Sequence, residues 1–227
     1  MIDKDRANGK LLAVSVGGVR EFDFKGRAAR SAIWKTPVSG RVMARGVNLE
    51  GDDQADRAAH GGPDKAIYAY AIEDYRWWEK ELGRPLQHAE FGENLTTEGI
   101  DVTGALVGDR WSVGSALLEV SEPRVPCWRL GVRMDDPAFL RRFTEAGRPG
   151  TYLRIIEEGD IGANDAIGIA ERPDHDVSIG AVFRIYTRDR HEAERLLGVD
   201  KISDAWKQWA EKAMGKAARG TAEPGCC

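Results

Sequence analysis

Asp109-Arg-Trp-Ser-Val-Gly-Ser-Ala-Leu-Leu-Glu-Val-Ser-Glu-Pro-Arg-Val-Pro-Cys-Trp-Arg-Leu130 reads as a β-hairpin that feeds directly into a proline-bound cysteine. Asp109 to Val113 and Ala116 to Val120 are two short runs of strand-forming residues, and Gly114-Ser115 between them is a two-residue hairpin turn. Pro123 and Pro126 each fix their own φ and push the preceding residue toward extended backbone, which predicts a stiff loop over 121–130 rather than a helix. Cys127 is the cysteine inside the body of the chain, since Cys226 and Cys227 occupy its last two positions. Arg124 and Arg129 flank it. Nearby guanidinium charge favours thiolate over thiol, and the thiolate is both the nucleophile and the soft-metal ligand.

Upstream, Leu11 to Val16 is an apolar run that ends at Gly17-Gly18, a strand followed by a turn. Ala32 to Lys35 and Gly40 to Ala44 read as further strands. The Gly-, Asp- and His-rich stretch from Gly46 to Gly62 reads as a loop, and Lys65 to Ala71 as a buried strand. Ile72, Tyr75, Trp78 and Leu82 follow at helical spacing with Gly83 as a stop. Phe91 to Thr96 is a polar turn in an apolar frame. Downstream, Asp136-Pro137 opens a helix with Phe139, Leu140 and Phe143 on one face and Gly147 at its end. Tyr152 to Ile156 and Asp165 to Ala170 return to strand. Many short strands, glycine turns and two inserted helices predict a mainly β barrel or sandwich rather than an alternating βαβ fold.

After Pro173 the pattern changes to three capped helices, the first of which, with Ile179, Val182, Ile185 and Tyr186, has enough β-branched content for a strand to compete. Ser178 caps the first, Asp189 with Glu192 forms a capping box on the second, and Ser203 caps Ala205 to Met214. The divisions read as a barrel over 11–173, an accessory helical unit over 174–214 and a disordered tail over 215–227. A chain of 227 residues and 25.0 kDa has length enough for a sizeable core. Thirty-three basic against 37 acidic residues argue against nucleic acid or membrane as a general partner. No apolar run is long enough to span a bilayer, the N-terminus has no signal-peptide core, and one internal cysteine suits a reducing compartment, so a cytoplasmic location is expected.

His60-Gly-Gly-Pro-Asp-Lys65 is the second cluster: Gly61 and Gly62 let backbone N–H groups approach a ligand, and Lys65 offers a point charge to a phosphate. His88, His175 and His191 read as surface residues. No nucleotide-binding glycine motif, paired-cysteine metal motif or serine-hydrolase elbow occurs in the chain.

Four motifs in order, His60-Gly-Gly-Pro-Asp-Lys-Ala-Ile-Tyr-Ala-Tyr70, Phe91-Gly-Glu-Asn-Leu95, Val107-Gly-Asp-Arg-Trp111 and Glu122-Pro-Arg-Val-Pro-Cys-Trp-Arg-Leu130, resemble the MOSC domain family. The likeness runs from about Leu11 to about Met214 and is strongest to the YiiM-like branch, which has a three-helix C-terminal extension. It implies a β-barrel that binds a molybdenum–molybdopterin cofactor with Cys127 as its metal ligand. It also implies that His60, Gly61, Gly62, Lys65, Asn94 and Arg124 lie near the pterin or its phosphate. The branch is associated with reduction of N-hydroxylated small molecules, hydroxylamino purines among them, to amines. No histidine or carboxylate stands out as a proton donor, and Glu93 is taken only as a guess for that role. The alternative is a sulfur or cofactor carrier with a persulfide on Cys127. The chain carries no dinucleotide fingerprint and too few cysteines for an iron–sulfur cluster, so electrons must come from a separate flavin or iron–sulfur reductase. A monomer or homodimer is expected.

Overall fold

The computed structural model describes residues 8–55 and 61–220, with side chains described as far as Gly215. Its first strand, β1 (Gly9–Val16), is apolar and buries Leu11 and the run Ala13 to Ser15. A hairpin that the sequence reading missed follows: β2 (Arg20–Phe24) and β3 (Arg27–Ser31) pair only with each other. Its faces are largely exposed, and arginines stand where apolar alternation would have marked a strand. Ala32 to Lys35 was expected as a strand, and only the two-residue β4 (Thr36–Pro37) forms nearby. Ala32 and Ile33 are buried as loop residues instead. Next come β5 (Arg41–Arg45), β6 (Asn48–Leu49), a single 3-10 turn over Pro63–Lys65 and the fully buried β7 (Ile67–Ala71).

Helix α1 (Ile72–Leu82) ends as expected at Gly83, which takes the left-handed conformation at φ 66°. It carries the chain over to β8 (Leu95–Glu98), which lies parallel to β7. The hairpin of the opening motif forms as β9 (Arg110–Val113) and β10 (Ala116–Pro123). The expected loop over 121–130 is shorter than predicted. Residues 121–123 continue β10, and Trp128 already opens α2 (Trp128–Arg133), with Cys127 as its N-cap residue. Proline restricts itself and the residue before it, which leaves the chain free to turn helical two residues beyond Pro126. Helix α3 (Phe139–Ala146) starts later than the Asp136-Pro137 signal, since Asp136 spends its carboxylate on a local turn to the Ala138 N–H at 2.8 Å. Then follow β11 (Thr151–Glu157), β12 (Gly159–Gly162), which pairs with β5, and β13 (Ala166–Glu171).

Seven strands close into a barrel in the order β13-β9-β10-β11-β7-β8-β1, with β1 pairing back to β13 through Gly9–Ile167 and Lys10–Ala166. The mainly β expectation is met. Beyond the barrel, α4 (Ile179–Thr187) is capped by the Ser178 hydroxyl as expected. Residues 190–196 form a 3-10 helix without the expected capping box: Asp189 and Glu192 both turn to Arg184. Helix α5 (Asp204–Gly220) continues past Gly215, where a tail was expected. Ser203 does not cap it through its side chain; the hydroxyl instead donates to Glu122 Oε2 at 2.9 Å, fastening α5 to the end of β10.

Ile179, Val182, Ile185, Leu196 and Ala210 belong to the same apolar cluster as the barrel residues Leu11, Val107, Trp111 and Leu118. Backbone bonds at 105–107 stitch the start of α4 to the wall, Val107 N–H to Val177 O at 3.1 Å and Ile179 N–H to Ala105 O at 2.9 Å. Each large apolar side chain uncovered there costs about 1.5–3 kcal/mol. A chain cut after Pro173 is therefore expected to lose cooperative unfolding, checked by circular dichroism melting and gel filtration. A monomeric, cooperatively melting product would show that the barrel stands without its helices.

Candidate functional site

Cys127 lies at the end of β10, where the loop 124–127 turns into α2, on the wall of a cavity of about 110 Å³. The same wall receives Lys65 from the turn before β7, Asn94 from the residue before β8 and Arg124 from the loop itself. Barrel closure thus brings together four of the expected residues from three separate motifs. Gly61 and Gly62 are not among the described residues that line the cavity, and the Gly62 N–H is spent on Gln54 Oε1 at 3.1 Å. His60 lies outside the described residues.

Asn94 is buried, and its side chain is used by the protein on every side. Its Oδ1 accepts the Tyr68 N–H at 3.0 Å, while Nδ2 donates to Ser15 O at 3.1 Å and to Asp52 Oδ2 at 2.9 Å. It orients Asp52 rather than facing outward. Asp52 also accepts the Gly17 N–H at 2.8 Å and pairs with Lys35. Lys35 and Asp52 both line the cavity, and sequence reasoning missed both. Burial pulls the Lys35 ammonium below its ordinary value, and Asp52 opposes that pull.

Arg124 is 6 % exposed, donates to the Phe91 carbonyl and lies 5.0 Å from the Tyr68 ring. Burial draws its guanidinium down, but Tyr68, Tyr152 and Cys127 more than offset that, and the group stays cationic. Burial pushes Tyr152 up to about 12, so its phenol is neutral beside the thiol. Arg129 lies over the Trp128 ring at 4.7 Å. Among the described residues, neither Arg124 nor Arg129 forms an ion pair with a carboxylate, whereas Lys65 is 3.2 Å from Glu122 Oε1. Among the described residues the charged lining is Lys35, Lys65, Arg124 and Arg129 against Asp52 and Asp53, an excess of positive charge beside a thiol.

No group of three or more His, Cys, Asp or Glu side chains that could hold a metal ion occurs among the described residues. Cys127 alone cannot cage an ion, so a metal here needs other ligand atoms brought by an anionic organic group. The donor set fits that arrangement, with one soft sulfur and cations around it.

Glu93 does not meet the cavity. It is wholly buried, its Oε1 accepting from Tyr75 O–H, from Ala89 N–H at 2.7 Å and from Thr96 Oγ1 at 3.0 Å, while Oε2 has no partner. It braces the turn that presents Asn94 and is screened from any substrate, which removes it as a direct proton donor.

Residues 56–168 match the MOSC domain model. The uncharacterized protein YflK of Bacillus subtilis is 33% identical over 87% of this chain and 90% of its own. A protein named as a reductase in Gibberella moniliformis is 34% identical over 73% of this chain, which spans 30% of that longer protein. The crystal structure of YiiM from Geobacillus stearothermophilus superposes with a TM-score of 0.75 at 28% identity, covering 91% of this chain and 99% of that one.

Two outcomes follow from this geometry. Asn94→Asp puts a second carboxylate 2.9 Å from Asp52 and removes two donors, so it is expected to lower stability at pH 7 by about 2–4 kcal/mol in urea titration and to recover part of that at pH 4. Burial raises the Glu93 carboxyl, so the folded chain binds its proton more tightly than the unfolded one. That stability is present below the ordinary value of 4.5 and is lost as pH rises through the folded value. Glu93→Gln should therefore gain stability relative to the parent as pH is raised from 4 to 7. An unchanged difference across that range would mean that burial does not raise the Glu93 carboxyl, and a reversed trend that the carboxylate is held ionised in place.

Proposed function

The chain belongs to the MOSC domain family, and we propose that it is a molybdenum-cofactor-dependent oxidoreductase that reduces N-hydroxylated compounds, hydroxylamino purines and similar molecules, to amines. The observation that carries this is Cys127 on a cavity wall whose remaining charge is dominated by Lys65, Arg124, Arg129 and Lys35. The Gibberella relative's name supports the coarser class of reductase.

Cys127 Sγ is the protein's ligand to the metal in this reading, and Arg124 and Arg129 balance the negative charge of the pterin and its phosphate. Bound there, the cofactor supplies two-electron chemistry and a site for the departing oxygen. The overall change is R–NH–OH with two electrons and two protons giving R–NH₂ and water. Buried Tyr68 and Ala66, with half-buried Tyr152, keep bulk water from one side of the thiol, and Arg124, locked on the Phe91 carbonyl, keeps its charge fixed in place. Electrons come from a separate flavin or iron–sulfur reductase docking at the Cys127 opening in a small, transient contact.

Cys127→Ser is expected to lose molybdenum, measured by elemental analysis, with a melting temperature close to the parent's, because serine is nearly isosteric but too hard a ligand. Cyanolysable sulfur without metal on the parent would favour the persulfide carrier instead. Lys65→Ala should lower cofactor content without unfolding the chain. With molybdenum bound, NADPH alone should support no turnover of a hydroxylamino substrate, while a chemical reductant should. Turnover with NADPH alone would place the electron entry inside this chain.

A further inference from the structure

Cys127 also borders a second cavity, of about 310 Å³, walled by Tyr186 of α4 and by Trp206 and Trp209 of α5. That aromatic cavity belongs to the thiol's site. A third cavity, also of about 310 Å³, shares no described lining residue with either and lies where the loop 99–105 meets β9 and β13. Its volume is at the lower end of those that hold small molecules, roughly 300–1,000 Å³.

Trp111 of β9 lines this third cavity and is wholly buried, yet its indole N–H has no hydrogen-bond partner. A buried donor without an acceptor is costly, and few persist in folded chains unless something supplies the acceptor. Asn8 brings a second donor to the lining, since its Oδ1 is spent on the Ile169 N–H at 3.0 Å and its amide N–H₂ is left. Asp101 brings one acceptor: Oδ1 takes the Gly104 N–H at 2.8 Å, and Oδ2 is left. The remaining charged pair satisfies itself. Asp109, wholly buried, accepts from Arg172 Nε at 3.1 Å, from Arg172 Nη2 at 3.2 Å and from the Leu106 N–H at 3.0 Å. Ile100, Ala105 and Ile169 give the cavity an apolar side.

A guest must therefore present an acceptor to Trp111 and a donor to Asp101. An anion would face two carboxylates against the single charge of Arg172 among the described lining residues, and would have to shed its water. A cation would leave the indole N–H without an acceptor. We propose that this cavity binds a small uncharged amide, its carbonyl oxygen on the Trp111 N–H and its N–H edge on Asp101. The site is independent of the chemistry at Cys127. Its occupant rests against the loop on which α4 is mounted, where the Thr103 carbonyl accepts the Gly180 N–H at 2.8 Å and the Ala105 carbonyl accepts the Ile179 N–H at 2.9 Å.

Isobutyramide, methyl isopropyl ketone and isobutyrate are close in shape and differ in the head group. In ¹⁵N-labelled protein each of the seven tryptophans gives one indole N–H signal, and Trp111→Phe identifies its own by the signal it lacks. Overhauser contacts to the Ala105 and Ile169 methyls identify the same signal if that variant does not fold. Isobutyramide should shift the Trp111 signal saturably. The ketone, with no N–H for Asp101, should bind roughly fivefold more weakly, the size of one lost hydrogen bond. Isobutyrate should bind roughly tenfold more weakly or worse. In Asp101→Asn, which keeps an oxygen for the Gly104 N–H, the advantage of the amide over the ketone should disappear. A Trp111 signal that no compound moves, or that all three move alike, overturns the site, and isobutyrate binding as tightly as the amide overturns its preference for an uncharged guest.

Discussion

A buried ion pair sets the architecture around the thiol. Lys35 and Asp52 come from loops on opposite sides of the β5 hairpin, and their side chains are 8% and 2% exposed. Removing both charges from water is costly, and burying the pair is no efficient way to gain stability. Its value is geometric. Asp52 can be satisfied only where Gly17 N–H, Lys35 and Asn94 converge, and that requirement fixes the 46–55 loop against β1 and the entry to β8. The cavity keeps its shape because a misplaced loop would leave a carboxylate buried without donors.

With that frame in place, the strands distribute the chemistry. β10 delivers Glu122 and then the loop with Arg124 and Cys127, and the two ends of this short segment face different surroundings. Pro123 and Pro126 hold the segment extended, so alternate side chains point to opposite sides and one cysteine can border two cavities. Trp128, immediately after the thiol, stacks on Phe24 with ring centroids 4.2 Å apart, which ties the outlying β2–β3 hairpin to the start of α2. The charged cavity is made by the barrel; the aromatic one needs the helices as well.

Much of this was legible in the residues. The hairpin at 109–120, the stop at Gly83 and the Ser178 cap follow local rules, and they form where those rules put them. Lys65, Asn94, Arg124 and Cys127 converge as their motifs implied, although Asn94 proves to be an organiser of Asp52. Lys35 was not legible, because it sits in an apolar stretch that reads as a strand, and its partner is 17 residues away in a loop without periodicity. The β2–β3 hairpin escaped because its residues are exposed on both faces and carry no alternation. Trp206 and Trp209, three residues apart, share one helix face by spacing alone, but what a face covers is decided by tertiary packing.

The barrel's seam joins its first strand to its last, Gly9 to Ile167 and Lys10 to Ala166. During synthesis β1 leaves the ribosome long before β13 exists. Until then the sheet is an open ribbon whose edges display unpaired N–H and C=O groups, the surface on which chains aggregate. β1 can rest against β4 and β8 in the meantime, Lys10 included, but the other edge of its first residues stays unpaired until the seam forms. Lys35, Asp52, Lys65 and Asn94 reach the cavity beside Cys127 from segments distant in sequence, so folding is slow by topology. The C-terminal helices are made next and reach the wall just as the ring shuts, so in the order of synthesis the aromatic cavity is the last feature to appear.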